Sequence, residues 1–216
     1  MQTFPTYIEF ILAAIPVVFA ITLHEVGHGW VAKLLGDNTA EQQGRLTVNP
    51  ISHVDPIGTI AVPSLLFFTA GFLFGWAKPV PVNWMKLNKP KRDMALVALA
   101  GPAANLLMII FWILLAKLVM LTFSEQSVVF QAMLIVLKWG FLINAILLLF
   151  NLLPMPPLDG SRVVMSILPT KLAVPYAKLE AYGLIIIVVL LATGVLSKIL
   201  QPMLMYFERL ILYIFF

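Results

Sequence analysis

The sequence predicts an all-α polytopic membrane protein with about five or six hydrophobic segments and a small re-entrant β-like loop. Of the 216 residues, 61% are hydrophobic and only 11% are charged, whereas a soluble domain is about 45–50% apolar and about 25% charged. The mean hydropathy is +0.98. A chain with so little charge cannot cover its surface with solvated side chains, which excludes a water-soluble monomer.

The apolar residues are concentrated in six stretches, and one helical crossing needs about 20 of them. The stretches cover residues 10–35, 57–76, 94–123, 128–153, 182–196 and 201–216. Stretch 57–76 carries Pro63, Gly71 and Gly75 and can either cross the membrane or re-enter it. Stretch 201–216 carries Glu208 and Arg209 and can either cross the membrane or lie along it. The chain is interpreted as one membrane-embedded domain, residues 1–216, with a core at about 10–165 and C-terminal helices at about 175–216.

The polar segment 36–56 contains Gly, Asn and Pro turn signals and a short β-prone piece, Leu46–Val48. It accounts for the β-like loop in the predicted fold. Two long apolar runs, 94–123 and 128–153, are separated by the short turn SEQS, and we expect most of the remaining chain to be helical.

The charge pattern indicates how the chain is oriented and what it does not bind. The net charge is +4, but the basic residues form no long run, so we expect no nucleic-acid partner. An excess of Lys and Arg marks cytoplasmic loops, which predicts that residues 77–93 and 154–178 face the cytoplasm. The chain has no cysteine, which excludes disulfides, thiolate metal ligands and a cysteine nucleophile.

The first apolar stretch contains the sequence His24-Glu25-Val26-Gly27-His28, an HExxH pattern. Histidines at i and i+4 project from one face of a helix, so both imidazoles can bind a single zinc ion. Glu25 is offset around the helix, where it can accept a proton from water instead of binding the metal. Polar groups within an apolar run are costly and usually functional. The alternative is a structural role in hydrogen bonding between helices.

A catalytic zinc usually has three protein ligands and one open position, so a third ligand is needed. Asp159 follows the apolar run 128–153 within NLLPMPPLDG, where three prolines prevent a regular helix. Its carboxylate can complete the site, or it can cap a short helix that begins near Gly160. The remaining histidine, His53, lies in the polar segment 36–56.

Together these motifs resemble the site-2 protease family of intramembrane zinc metalloproteases. The similarity rests on HEVGHGW in one membrane helix, GPAAN in a second and NLLPMPPLDG at the end of a third. GRLTVNPISHVDPIGT and FGWAKPVPVN further resemble the short bacterial branch of the family, which lacks a PDZ domain. The resemblance covers about residues 10–165. It implies a bacterial inner or plasma membrane enzyme that hydrolyses peptide bonds within or near transmembrane segments of membrane-anchored proteins.

The resemblance also assigns roles to individual residues. It implies that His24, His28 and Asp159 bind one zinc ion per chain and that Glu25 is the general base. Asn151 is implied to hydrogen-bond an extended substrate. Two further residues have alternatives. Asn105 either contacts substrate or the developing oxyanion or packs between helices, and His53 either supports the site or is a solvent-exposed loop histidine.

A depth argument predicts an external N-terminus. His24 lies some fifteen residues, or roughly 20 Å, into the first apolar run, and Asp159 lies just beyond the cytoplasmic end of another. Both can reach one metal only if the first helix runs from outside to inside. A count of ordinary crossings gives the opposite orientation, and a re-entrant segment within 36–76 would reconcile the two.

Two other classes of function are considered. A metal-ion transporter also places His and Asp within the membrane, but it does not need Glu25, and the sequence shows no internal repeat of the kind that transporters often contain. A noncatalytic scaffold could keep the zinc site, although an intact Glu25 argues against it. The sequence does not identify the substrate, a regulator or the oligomeric state.

Overall fold

The computed structural model describes residues 4–70, 75 and 78–215, and within them the chain is helical, with no strand. Short 3-10 turns occur at Pro50–His53 and Trp84–Lys86, and a π-helical turn occurs at Pro56–Ala61. The α-helices are α1 (Thr6–Leu34), α2 (Thr39–Gln42), α3 (Val62–Ala70), α4 (Pro90–Thr122), α5 (Val128–Asn151), α6 (Asp159–Ile167), α7 (Thr170–Lys178), α8 (Glu180–Ala192) and α9 (Val195–Phe215).

Three helices of the described chain, α1, α4 and α5, are long and apolar enough to cross a membrane. With 29, 33 and 24 residues, each exceeds the roughly 20 residues that a bilayer requires. Helices α7 and α8 together would make a fourth span, but they are bent by 58° at their junction. The predicted all-helical membrane protein is therefore observed with three or four candidate spans, and the expected five or six are not confirmed.

The remaining apolar stretches form shorter or more polar helices. Within 57–76, the apolar helix covers only Pro56–Thr69, and residues 71–74, 76 and 77 lie outside the described chain. Helix α9 carries Lys198, Glu208 and Arg209 and is not among the candidate spans. The predicted β-like loop is not confirmed, because Leu46–Val48 is irregular backbone.

Helices α1, α4 and α5 pack against one another and form the centre of the bundle. Helix α4 runs antiparallel to both neighbours, so the C-terminal ends of α1 and α5 lie beside the N-terminal part of α4. At Gly27 of α1 the backbones approach so closely that an added Cβ would lie 2.8 Å from the Ala100 carbonyl oxygen of α4. Helix α6 packs on α4 at the same end of the bundle, which brings Asp159 towards α1.

Apolar side chains fix the far half of the bundle. A buried cluster joins α4, α5 and α9, and its members are Ile109, Ile113, Ala145, Leu148 and Ile211. A second cluster, which includes Trp112, Val119, Phe130 and Leu137, closes the α4–α5 contact beyond it. Because close van der Waals packing holds apolar helices together within a membrane, these clusters keep the polar groups at the other end on a rigid frame.

Candidate metal centre and active-site cleft

His24, His28 and Asp159 converge at one point, although Asp159 is far from the histidines in sequence. The two Nε2 atoms lie 3.1 Å apart, and Oδ2 of Asp159 lies 3.2 Å from Nε2 of His24 and 3.3 Å from Nε2 of His28. In the part of the chain that the structure describes, these three residues form a group able to hold a metal ion.

The hydrogen bonds of the two rings define where their lone pairs point. Nδ1 of His28 lies 2.7 Å from the carbonyl oxygen of Val97, and Nδ1 of His24 lies 2.6 Å from Oδ1 of Asn105. Both partners are acceptors, so both Nδ1 atoms carry the proton. In the neutral imidazoles, the unprotonated Nε2 atoms then face each other and the carboxylate.

This donor set fits a zinc ion. Three electron-rich atoms face one another, and Oδ2 of Asp159 is buried without a hydrogen-bond partner, which is costly unless a cation lies between them. Ligands held at 2.0–2.1 Å in a tetrahedral site are about 3.3 Å apart, close to the separations observed. Nitrogen and carboxylate oxygen ligands, with each histidine oriented through its other nitrogen, are typical of zinc sites.

The burial of Asp159 also suits a metal ligand. Burial alone raises the pKa of its carboxyl group, and a cation held between the carboxylate and the two unprotonated Nε2 atoms would favour the ionised form instead. Helix α6 begins at Asp159 itself, and its cap residue is Leu158. The geometry therefore favours the ligand interpretation of Asp159 over the capping alternative.

Glu25 lies beside the three converging groups, in a cleft of about 340 Å³ that they share. Its Oε2 accepts a hydrogen bond of 2.6 Å from the backbone N–H of Val80. The cleft is open to water-sized molecules and has polar and apolar walls. The other residues that line it are Pro79, Val82, Trp84, Asn151, Pro157 and Arg162.

One wall of the cleft is formed by residues 78–83, which we term the cleft segment. Prolines at 79 and 81 remove two backbone donors and keep this segment out of a helix. Three of its remaining N–H groups attach it to three different parts of the chain. These bonds join Lys78 N to the His53 carbonyl (3.0 Å), Val80 N to Glu25 Oε2 (2.6 Å) and Asn83 N to Asp37 Oδ2 (2.6 Å).

On the wall near Asp159, Arg162 connects the cleft to the C-terminal helices. Its guanidinium group lies 5.3 Å from the ring centroid of Trp84 and forms an ion pair with Glu180 of α8. A cation placed over an aromatic face is attracted to it, so these contacts order Trp84 at the cleft.

Of the three remaining residues that the sequence predicted for the site, one lines the cleft and two do not. Asn151 lines the cleft, and its amide group donates a hydrogen bond of 3.0 Å to the Leu147 carbonyl. Asn105 is fully buried behind His24 and does not reach the cleft. His53 is buried and bonded through Nε2 to the Thr47 carbonyl at 2.8 Å, so it neither lines the cleft nor faces water.

The sequence pattern did not single out Asn144, Val80, Trp84 or Arg162. Asn144 had a detectable signal, because it is a polar residue within an apolar run and lies seven residues, or about two turns, before Asn151. Val80 had none, since its contribution is a backbone N–H. Trp84 and Arg162 had no signal either, because they come together only through tertiary packing.

Taken together, the apolar helices and the converging donor set are typical of a membrane-embedded, metal-dependent hydrolase. Residues 115–194, a range that includes Asp159, match peptidase family M50. The chain is 41% identical over 192 residues to "Putative zinc metalloprotease YwhC" of Bacillus subtilis (strain 168), covering 88% of this chain and 84% of that protein. The chain belongs to peptidase family M50, the site-2 protease family of zinc metalloproteases.

A second relative comes from another bacterium. "Putative zinc metalloprotease Rip2" of Mycolicibacterium smegmatis (strain ATCC 700084 / mc(2)155) is 34% identical over 190 residues, which cover 88% of this chain and 70% of that protein. No solved structure matches the chain. Membership of the family confirms the predicted zinc dependence and the predicted enzyme class.

Proposed function

We propose that the protein is an intramembrane protease that hydrolyses peptide bonds within or near transmembrane segments of membrane-anchored proteins. His24, His28 and Asp159 hold one zinc ion, and Glu25 is the general base. The observation that carries this proposal is the convergence of three unprotonated ligand atoms beside Glu25 within a bundle of apolar helices. A transporter would have no evident use for Glu25 in that cleft.

The proposed mechanism assigns the proton transfers to Glu25. Zinc, when bound, supplies Lewis acidity that makes water more acidic and polarises the scissile carbonyl group. Glu25 accepts a proton from the attacking water on its carboxylate and later donates a proton to the leaving amine nitrogen. The bond from Val80 N–H to Oε2 orients the carboxylate.

The cleft limits the form of the substrate. In a helical substrate the carbonyl groups are bonded to N–H groups four residues later, so the scissile region must unwind before it can react. Asn151, on the wall of the cleft, is proposed to hydrogen-bond the extended backbone. Residues 10–165 are proposed to form the catalytic core, and residues 175–216 the C-terminal helices that flank it.

The charges around the site support a cytoplasmic active site in a bacterial cell membrane. The site lies near the C-terminal ends of α1 and α5, and positively charged residues mark the cytoplasmic side of membrane helices. The basic residues at this end include Lys33, Lys89, Lys91, Arg92 and Arg162. This orientation gives α1 an external N-terminal end, as the depth argument requires.

The proposal is tested with purified protein and a panel of single-span membrane peptides. Glu25→Gln keeps the size of the side chain but removes its basicity. General bases typically contribute 10²–10⁴-fold to rate, so we expect cleavage to fall by roughly 10³-fold while bound zinc stays at one per chain. Zinc is quantified in both proteins by elemental analysis.

Glu41→Gln is the matched control, because Glu41 is exposed and forms an ion pair with Lys33, and neither residue lines the cleft. It should cleave at the wild-type rate. Equal cleavage by Glu25→Gln would reject Glu25 as the base. Zinc binding without cleavage of any peptide by the wild type would favour the noncatalytic scaffold.

A further inference from the structure

Behind the candidate metal centre, a chain of amide hydrogen bonds crosses all three central helices. It begins at the Gly140 carbonyl of α5, passes through Asn144 of α5 and Asn105 of α4, and ends at His24 of α1. Both asparagine side chains are fully buried. Buried amides are costly unless their donors and acceptors are paired, so the arrangement of this chain is strongly constrained.

The direction of each bond follows from the backbone carbonyl at its start. The Gly140 oxygen can only accept, so the group of Asn144 that lies 2.7 Å from it must be the NH₂ group. Oδ1 of Asn144 consequently faces Asn105 and accepts from Nδ2 at 2.9 Å. A flipped Asn144 would place two acceptors together at Gly140 and two donors together at Asn105.

The next bonds fix which group of Asn105 faces the proposed metal ligand His24. Nδ2 of Asn105 also donates to the Ala20 carbonyl at 3.3 Å, which agrees with its donor role towards Asn144. Oδ1 of Asn105 is therefore the atom that meets Nδ1 of His24 at 2.6 Å. Because that oxygen accepts, the proton of the neutral ring is held on Nδ1 and the lone pair on Nε2.

We infer that Asn144 is a positioning residue, which acts through Asn105 to fix the tautomer and ring orientation of His24 for zinc binding. The inference rests on the proposed zinc site. His28 reaches the same state by a shorter route, since its Nδ1 donates directly to the Val97 carbonyl at 2.7 Å. At His24, by contrast, the direction of the hydrogen bond is set by the more distant Gly140 carbonyl, through the side-chain amides of Asn144 and Asn105.

The test is Asn144→Leu, which approximates the size of the side chain and removes its hydrogen bonds. Partners that orient a ligating histidine typically contribute 10–100-fold to metal affinity. Because Asn144 acts one bond further away, we expect the zinc dissociation constant to rise by about tenfold. The constant is measured by competition with a chromogenic chelator on the full-length protein in detergent.

A double-mutant cycle separates this role from general loosening. If Asn144 acts through Asn105, then Asn144→Leu should have little further effect on zinc affinity in an Asn105→Ala background. In the cobalt-substituted protein, Asn144→Leu should also shift the visible absorption bands, which report the geometry of the ligands. Additive effects on affinity, with an unshifted cobalt spectrum, would overturn the inference.

Ile109→Ala is the control for destabilisation. Ile109 is fully buried in α4, one turn beyond Asn105, but it belongs to the apolar cluster. This variant should unfold at lower temperature and keep wild-type zinc affinity. An equal loss of affinity in Ile109→Ala would assign the effect to packing and reject the inference. Failure of the wild type to bind zinc would instead reject the proposed site itself.

Discussion

A methyl group at position 101 would occupy the space that the two imidazole rings fill. An ideal Cβ on Gly101 of α4 would overlap Nε2 of His28 and would lie 2.6 Å from Cε1 of His24. Real Cβ atoms do not approach this closely, so a glycine is required for steric reasons. The GPAAN motif therefore contributes to the site twice, through the absent side chain of Gly101 and through Asn105.

Gly101→Ala should weaken zinc binding without unfolding the helix. Alanine is the better helix former by about 1 kcal/mol, so α4 itself is not weakened, whereas both ligand rings must move. We expect the zinc dissociation constant to rise on the order of 100-fold, as measured by chelator competition. Ala103→Val, on an exposed face of the same helix, should leave the constant unchanged. Wild-type affinity in Gly101→Ala would contradict the observed packing.

At this scale the sequence predicted the parts of the site that depend on local spacing. His24, Glu25 and His28 could be found because the helical repeat alone determines which of them share a face. The role of Asn105 could not be found from spacing, because its partners Ala20 and Asn144 lie on two other helices. His53 was ambiguous for a related reason, since its burial depends on how segment 36–56 folds back on itself.

Among the elements, the cleft segment depends most on individual hydrogen bonds. It has no regular secondary structure, and one of its attachments is the buried carboxylate of Asp37, which also accepts bonds from the backbone N–H and the hydroxyl of Thr39. Burial raises the pKa of Asp37, but the bonds from Thr39 and Asn83 outweigh burial and hold the pKa below its ordinary value.

Asp37→Asn should make the protein less stable at neutral pH but not in acid. Since the folded pKa lies below the unfolded value of about 3.8, the ionised carboxylate stabilises the fold above that pH, and the contribution is lost as the pH falls below it. With about 2 kcal/mol for bonds to a charged acceptor, the unfolding midpoint at pH 7 should fall by roughly 4–8 °C. Thermal unfolding followed by circular dichroism checks this.

The difference in midpoint between Asp37→Asn and the wild type should stay constant well above pH 3.8 and shrink as the pH falls below that value. Glu41→Gln, at a more exposed carboxylate, should change the midpoint little at any pH. A difference that stays constant as the pH falls would show that the charge of Asp37 does not stabilise the fold.

The irregular elements were the hardest to predict. Leu46–Val48 has β-prone composition, but a strand needs a partner, and the neighbouring backbone N–H groups of the cleft segment are bonded to His53, Glu25 and Asp37 instead. By contrast, apolar composition predicted the long helices α1, α4 and α5 well. Composition could not predict the bend between α7 and α8, because that bend depends on how these helices pack.

Over the whole molecule, the metal centre joins parts of the chain that otherwise meet through α4. His24 and His28 belong to α1, and Asp159 belongs to α6, which packs mainly on α4 and α7. An ion that binds the folded chain and not the unfolded chain stabilises the fold according to its concentration. Zinc is therefore expected to serve the stability of the bundle as well as catalysis.

Removal of zinc should lower the unfolding temperature of the wild-type protein. At a free zinc concentration about 1,000 times the dissociation constant, binding contributes about 4 kcal/mol, which corresponds to a shift of roughly 8–16 °C. The midpoint is measured with and without a strong chelator. In Asp159→Ala, which lacks one of the three proposed ligands, the chelator should shift the midpoint by much less. A shift of equal size in both proteins would place the stabilising zinc elsewhere.

The separation of the proposed ligands along the chain has a consequence for the time at which the metal centre is completed during synthesis. Asp159 follows His24 by 135 positions, so at 5–20 residues per second the ribosome completes the ligand set roughly 7–27 seconds after the first ligand is made. During that interval α1 can enter the membrane with only two of the three proposed ligands, His24 and His28. On the proposed ligand assignment, a nascent chain therefore has no complete metal centre until α4 and α5 have been made and Asp159 has been translated.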